Sequence, residues 1–352
     1  MKIPENDIYD FLKATHLPII IYGMGNGADK IIAELERYNI PVSGIAASDD
    51  FVRGQSFHGF RVRKISGFEQ EFGDFIIIIA FGTSLPDVMA HLFALSERHT
   101  VLAADVPVYG ENIWNKSFFE ENRESIEKAH SLLADKTSKQ VYENIIRFKL
   151  SGRLDFLRSA YSDKEVVFEN ILKLGGNESY LDLGAYRGDT IDEFLHYTGG
   201  AYQHITALEP DRKTFAKLKA HVKDMTNIKL FRMGIWSEDR DMSFEDSLGR
   251  GSSIKRGAKN DLAVTKIDTL YAVRKLTYLK MDVEGSERQA LLGGINTLRR
   301  DRPKLNIAAY HRSEDIFSLP LLVNTIEPSY RLYLRQHPYI PAWDLNFYAI
   351  PR

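Results

Sequence analysis

The strongest constraint in this chain is a rhythm that occurs twice: short apolar runs alternate with helix-length amphipathic segments. In the first third, "LPIIIYG", "PVSGIAASDD", "FIIIIAFGTS" and "TVLAADVPV" have strand character, while "GADKIIAELERY" and "LPDVMAHLFALSERH" carry helical apolar spacing. The rhythm resumes with "YLDLGAY", "HITALEP", "IKLFRMGIW", "LTYLKMDVEG" and "KLNIAAYH". Strands separated by helices pair in parallel, because a crossover of that length is what returns the chain beside its previous strand. The last two strands, "YRLYLRQH" and "NFYAIP", have only a Pro-containing loop between them, so the second sheet is expected to end in a β-hairpin.

At 352 residues, 44% hydrophobic and 27% charged, the chain exceeds most single cores. The expectation is an α/β protein of two Rossmann-like domains, residues 1–110 and 176–352, with a charged helical connector over 111–175 ("FFEENRESIEKAHSLLADK", "SKQVYENIIRFKLSGRLDFLRSAY"). Lys plus Arg number 46 against 48 Asp plus Glu, a net charge of −2, so no global field draws the chain to nucleic acid or anionic membrane. Cysteine is absent, which excludes disulfides and thiolate chemistry. The start "MKIPENDIYDFLKATH" lacks a signal-peptide pattern and no apolar run is long enough to span a bilayer, so a cytoplasmic protein without a transmembrane segment is expected. Homo-oligomerisation is left open.

In a parallel sheet, ligands collect outside the carboxyl ends of the strands. There the second series reads "YLDLGAYRGDT", with Asp182 ahead of the Gly184–Ala185 pair and Gly188 at the start of a helix. Glycine lets the chain turn sharply and lets a ligand approach the main chain. "ALEPD" then places Glu209 and Pro210 at the end of the next strand, where a carboxylate can accept both hydroxyls of a ribose. Together these residues define an adenosine-type site. A dinucleotide needs a glycine-dense turn for its pyrophosphate, which the carboxylate of Asp182 would repel; that carboxylate suits the cationic amine of S-adenosylmethionine.

The same edge carries "MDVEGSE", with Asp282 and Glu284 after a strand, and "AYH", with His311 ending the next. An imidazole near neutrality can take a hydroxyl proton with a carboxylate to orient it, so Asp282, Glu284 and His311 are the catalytic candidates. The same three residues could instead hold a divalent cation. Glu287, in a first helical turn, reads as a helix-end acid. "GRGSSI" (Gly249 to Ile254) reads as a loop over the site or plain solvent loop, and "YLRQHPYIPAW", with His337, as a wall for a sugar or lipid headgroup or as core.

"YLDLGAYRGDTIDEF", "ITALEPDRKTFAKL", "KIDTL", "LTYLKMDVEGSERQALLGG" and "YHRSEDIFSLPLLV" together resemble the FkbM-type methyltransferases. The resemblance covers about residue 140 to the end and implies a class I methyltransferase sheet using S-adenosylmethionine. It also implies that Asp182, Gly184, Ala185 and Gly188 hold the methionine end, Glu209 the ribose, and the Gly234–Trp236 segment the adenine. It does not by itself imply a bound metal, so the metal-free version is put first, and its acceptor would be a hydroxyl on a small molecule or saccharide. The first domain, with Gly23, Gly25 and Gly27 after a strand and Asp49 and Asp50 after the next, resembles N-terminal domains of bacterial sugar acetyltransferases; that implies a nucleotide-sugar-binding or architectural role. Two other readings stand beside these: a nicotinamide-dependent sugar oxidoreductase working through the first glycine loop, and a non-catalytic nucleotide-binding scaffold.

Overall fold

The computed structural model describes residues 1–245, 253–254 and 260–352. Both rhythms become sheets. The first has four parallel strands, in the order Gly44–Ala46, Ile19–Tyr22, Ile76–Ile79, Thr100–Leu102. Its central strands are buried on both faces, which explains why "IIIY" and "IIII" do not alternate with polar residues. On one face the helix Asn26–Arg37 seats Ala28, Ile31, Ile32 and Leu35, positions at helical spacing, over Ile19, Ile21, Ile76 and Ile78.

The second sheet has seven strands, in the order Ile228–Phe231, His204–Leu208, Ser179–Leu183, Tyr278–Met281, Lys304–Ala308, Leu345–Pro351, Tyr330–Gln336. All pair in parallel except Leu345–Pro351, antiparallel to both neighbours, as the hairpin expectation required. Chain order reverses between Ser179–Leu183 and Tyr278–Met281, so the two strand ends diverge there and leave a crevice. Register aligns Asp182 with Lys280, Lys280 with Asn306, and Asn306 with Tyr348. Register partners project from one face, so these four form a polar row across the sheet. Below the row on the same face, Tyr180 stacks on Tyr278 at 4.8 Å and on Phe194 of the helix Asp189–Thr198 at 4.5 Å.

The region between the sheets is helical but more divided than its sequence suggests. Lys116–Glu121 and Arg123–Leu132 break at Asn122, and Lys136–Ser151 stops at Gly152, whose φ of +69° forms a left-handed cap before Leu154–Ser159. One apolar cluster runs from Ile20 and Ile77 of the first sheet through Trp114, Phe119 and Tyr142 to Leu181 and Leu279 of the second. Within it, Lys149 pairs with Asp105 at 2.9 Å, both buried.

Two strand expectations change. "IKLFRMGIW" divides: Ile228–Phe231 joins the large sheet, while Gly234–Ile235 turns away to pair with Asn260–Thr265 in a small sheet. "PVSGIAASDD" keeps strand geometry only over Gly44–Ala46, and Asp49 and Asp50 lie exposed on a 3-10 turn, with Asp49 paired to Lys64. Residues 249–252 of "GRGSSI" lie outside the described residues. Among the described residues no helix is long and apolar enough to cross a membrane.

Candidate active site

A cavity of about 340 Å³ opens at the crevice of the second sheet. Gly184 and Asp282 sit on either side of the switch point, and Glu209 follows the next strand; all three line the cavity.

The bare turn has a cause the sequence did not disclose. Gly184 has φ +85°, and a Cβ there would overlap the carbonyl oxygen of Asp282; Gly188 has φ +101°, and its Cβ would lie 2.6 Å from the His221 ring. These glycines are required by close approach of the protein's own chain. Gly184→Ala is expected to cost about 3 kcal/mol or more, since it adds a backbone collision to a left-handed φ. Gly200→Ala, at φ +79° with open space around it, should cost only the conformational ~1–2 kcal/mol. Paired thermal melts check the difference, and equal losses would contradict the collision.

Asp182 is fully buried under that turn. Its Oδ2 accepts from Thr190 Oγ1 at 2.5 Å, while Oδ1 has no partner among the described residues. Burial pushes its pKa up to about 6, partly offset by Lys280 and Thr190. Asp182 is not itself among the residues that line the cavity, although Leu183, Gly184 and Thr190 around it are; an orphaned buried carboxylate oxygen behind that wall is chemically suited to a cationic group. Glu209 accepts the N–H groups of Tyr186 (3.1 Å) and Asp211 (2.9 Å), one on each oxygen, which fixes its plane and leaves each oxygen a lone pair for a ribose hydroxyl. Burial raises its pKa to about 7. Pro210 follows in the wall, and Ala185 is buried behind the turn. Met233, Gly234 and Ile235 complete this side, but Trp236 is not among the lining residues; its carbonyl packs over Gly293 because the chain has left the large sheet for the small one. The paired acceptor oxygens of Glu209 beside the Gly184 turn fit an adenosine-bearing sulfonium, and Met233, Gly234 and Ile235 give the same wall an apolar stretch.

The catalytic candidates do come together, in a different electrostatic arrangement from that expected. His311 is 1% exposed. Its Nδ1 donates to Glu287 Oε1 at 2.7 Å, and its Nε2 faces Asp282 Oδ1 at 3.3 Å and Glu284 Oε2 at 3.6 Å. Burial alone would depress its pKa, but Glu287, Asp282 and Glu284 overcome that and push it up to about 10. The three carboxylates thus favour the imidazolium form of His311, in which Nε2 carries a proton and has no lone pair for a hydroxyl proton. Glu287, read from sequence as a helix-end acid, is fully buried and also accepts from the N–H of Val283, so it anchors the imidazolium beneath the loop. One donor atom each of Asp282, Glu287 and His311 falls within 4.8 Å of the others, a spacing that cations also accept; here both ring nitrogens are engaged by carboxylates.

Asp282 is the member of this group that faces the cavity with an ionised carboxylate. Its side chain is a third exposed, and although burial raises its pKa, Lys280 (3.6 Å) and His311 bring it below the ordinary value. Tyr310 donates a long hydrogen bond to it. Glu284 also lines the cavity, held at φ +51°. Lys280 was missed by sequence reasoning, although a lysine two residues before an acid in an apolar strand must share that acid's face.

His337 does not line the cavity: it is buried between Ser162 O and Tyr348 OH, each at 2.9 Å. In the first domain Gly23 and Gly27 pack against their own chain, since a Cβ on Gly23 would meet Phe81 at 2.9 Å and one on Gly27 would meet Ala80 O at 2.5 Å, whereas a Cβ on Gly25 would meet nothing within 4 Å.

With this geometry in place, residues 182–340 match the model of the methyltransferase FkbM domain. The C-terminal region is a methyltransferase domain. The chain is accordingly an enzyme of that class. Its structure is similar to the crystal structure of methyltransferase FkbM from Methylobacillus flagellatus KT, with a TM-score of 0.73 at 22% identity over 99% of this chain and 94% of that one, which establishes a shared fold along the whole length. A putative rRNA methylase from Clostridium thermocellum (7% identity, 50% of this chain and 87% of that one, TM-score 0.33) also matches. So does Aeropyrum pernix fibrillarin (16% identity, 53% and 72%, TM-score 0.33), whose crystal structure holds natively bound S-adenosyl-L-methionine. These two scores are too low to bear on the argument. No curated protein matches the chain. The family match lies outside residues 1–110 and does not bear on their resemblance to sugar acetyltransferase domains.

Proposed function

We propose that this enzyme is an O-methyltransferase that uses S-adenosylmethionine and acts on a hydroxyl of a saccharide or glycan precursor. The observation that carries the reading is the pairing, across the Gly184 turn of one cavity, of a nucleoside-type carboxylate, Glu209, with a solvent-facing ionised carboxylate, Asp282. S-adenosylmethionine, when bound, supplies a methyl group already activated by a sulfonium. The chain's own task is then alignment and proton removal. Asp182 and the Gly184 turn would hold the ammonium end and Glu209 the ribose. Asp282 would receive the hydroxyl proton, with Lys280 and His311 holding its carboxylate in place. The rival oxidoreductase reading has less support, because the family match covers residues 182–340 and lies outside the first glycine loop. We assign the first domain an architectural role at the acceptor side.

Calorimetry with S-adenosylhomocysteine tests the cofactor. Asp182→Ala should abolish binding, and a wild-type protein that binds NADH in its place would overturn the reading. Affinity should also depend on pH. The pKa values of Asp182 and Glu209 are raised to about 6 and about 7, while a cationic, hydroxyl-bearing ligand favours their ionised forms. Binding should plateau above pH 7 and weaken below it, by up to about tenfold per pH unit for each group protonated. A flat profile between pH 5.5 and 8 would remove both carboxylates from the contact.

A further inference from the structure

The cofactor side accounts for part of the cavity. Its remaining wall includes Ser84, Tyr339, Trp343 and Asp344, with Asn306 and Tyr348 of the polar row beneath. Ser84 belongs to the first domain: it follows Ile76–Ile79, so the carboxyl edge of the first sheet reaches the mouth of the second domain's site.

That reach is built into the backbone. Thr83 and Ile340 exchange both main-chain hydrogen bonds, Thr83 N to Ile340 O at 2.8 Å and Ile340 N to Thr83 O at 2.9 Å. Next to this bridge Gly82 leaves room for the indole: a Cβ there would lie 2.5 Å from the Trp343 ring and 3.2 Å from Tyr339. The two aromatic rings are 6.1 Å apart, and Trp343 is only partly buried and lines the cavity. Around it stand hydrogen-bonding groups. Asp344 is oriented by Asn346 Nδ2 at 2.6 Å. Asn306 is 6% exposed, lines the cavity, and its Oδ1 has no partner among the described residues.

We propose that the loop Gly82–Ser84 and the segment Tyr339–Asp344 together form the acceptor subsite, with Trp343 as its stacking face, Asn306 as a hydrogen-bonding group, and Gly82 of the first domain setting where the indole lies. The proposal rests on the methyltransferase reading above and deepens it. A partly open indole flanked by a carboxylate and an unsatisfied amide matches a pyranose, which offers an apolar C–H face and a rim of hydroxyls. The first domain is then part of the substrate site, although it contributes little side-chain chemistry of its own. Gly82 is a positioning residue, acting through Trp343.

The test uses the full-length enzyme, S-adenosylmethionine and the methyl glycosides of glucose, galactose, rhamnose and N-acetylglucosamine, with S-adenosylhomocysteine release as readout. At least one glycoside should turn over. Trp343→Ala should raise its KM about tenfold or more, the loss of a stacked ring, while S-adenosylhomocysteine affinity by calorimetry stays at the wild-type value. Trp343→Phe should recover part of that KM. Gly82→Ala, which alters no cavity residue's identity but places a Cβ 2.5 Å from the Trp343 ring, should raise KM in the same direction as Trp343→Ala. Folding of each variant is checked by its melting curve, and the Phe variant carries the test where the Ala variant is unstable. An unchanged KM in Trp343→Ala overturns the stacking face, an unchanged KM in Gly82→Ala overturns the first domain's part, and cofactor binding without turnover of any glycoside overturns the acceptor class. Failure of wild-type protein to bind S-adenosylhomocysteine sinks the parent reading instead, so the two failures are distinguishable.

Discussion

Asp282→Asn is expected to slow methyl transfer about 10²–10⁴-fold, the usual contribution of a positioned proton acceptor, while S-adenosylhomocysteine binds as before. The substitution is nearly isosteric and keeps an oxygen that can accept from Tyr310, so geometry is largely preserved and basicity is removed. Asp282 is singled out by three facts that coincide at no other acid of the cavity: it follows the strand at the switch point, it is a third exposed to the cavity, and Lys280 and His311 keep it ionised. Its depressed pKa makes it a weak base at equilibrium. That suffices where the attacking oxygen becomes strongly acidic only as the new C–O bond forms. At saturating cofactor the rate should therefore stay flat as pH falls through neutrality, the weakening below pH 7 appearing in cofactor affinity alone. An unchanged rate in Asp282→Asn would move the role to Glu284, which shares the wall.

The parts of this picture that were legible in the sequence are those set by chain-local rules. Strand-helix alternation yields both sheets, and the missing helix between "YRLYLRQH" and "NFYAIP" yields the hairpin. Asp182, Glu209 and Asp282 were visible because each lies at or just beyond the carboxyl end of a strand, where an open sheet has its crevice. What stayed hidden depends on tertiary register. Glu287 and His311 lie 24 positions apart and meet only because adjacent loops fold over one another. Lys280 belongs to a row defined by neighbouring strands, and Ser84 reaches the cavity through a bridge to Ile340, far along the chain. The same limit explains Trp236. A strand-end aromatic near an adenine wall follows from an unbroken strand, but the large-sheet strand ends at Phe231 and the chain resumes at Gly234 in the small sheet, leaving Trp236 outside the lining. Glycines mislead in a related way, since a bare turn signals close approach without saying whether a ligand or the chain itself is what comes close.

His311→Ala should show how far stability is invested in the site. The imidazolium lies among Asp282, Glu284 and Glu287, with buried Asp315 also nearby and Lys280 as the other cation on Asp282. Removing it leaves Glu287 buried without a charge partner at Nδ1, and breaking such a buried pair typically costs about 3–5 kcal/mol. The pH dependence distinguishes this from loss of packing. The pKa of His311 rises from its ordinary value of 6.5 to about 10 in the folded protein, so the folded state binds that proton more tightly than the unfolded chain does. Its stabilisation is fully present below pH 6.5 and is lost as pH rises through about 10. The gap in unfolding free energy between wild type and His311→Ala should therefore be wide at pH 6.5 and narrow at pH 10.5, leaving only the pH-independent cavity contribution. A neutral His311 serving as proton acceptor would give a gap that stays constant over that range, together with a rate that falls as pH drops through the ring's titration. Denaturant unfolding at the two pH values separates the cases. A constant gap would return His311 to the role of base and leave the three carboxylates without the cation that now explains their close approach.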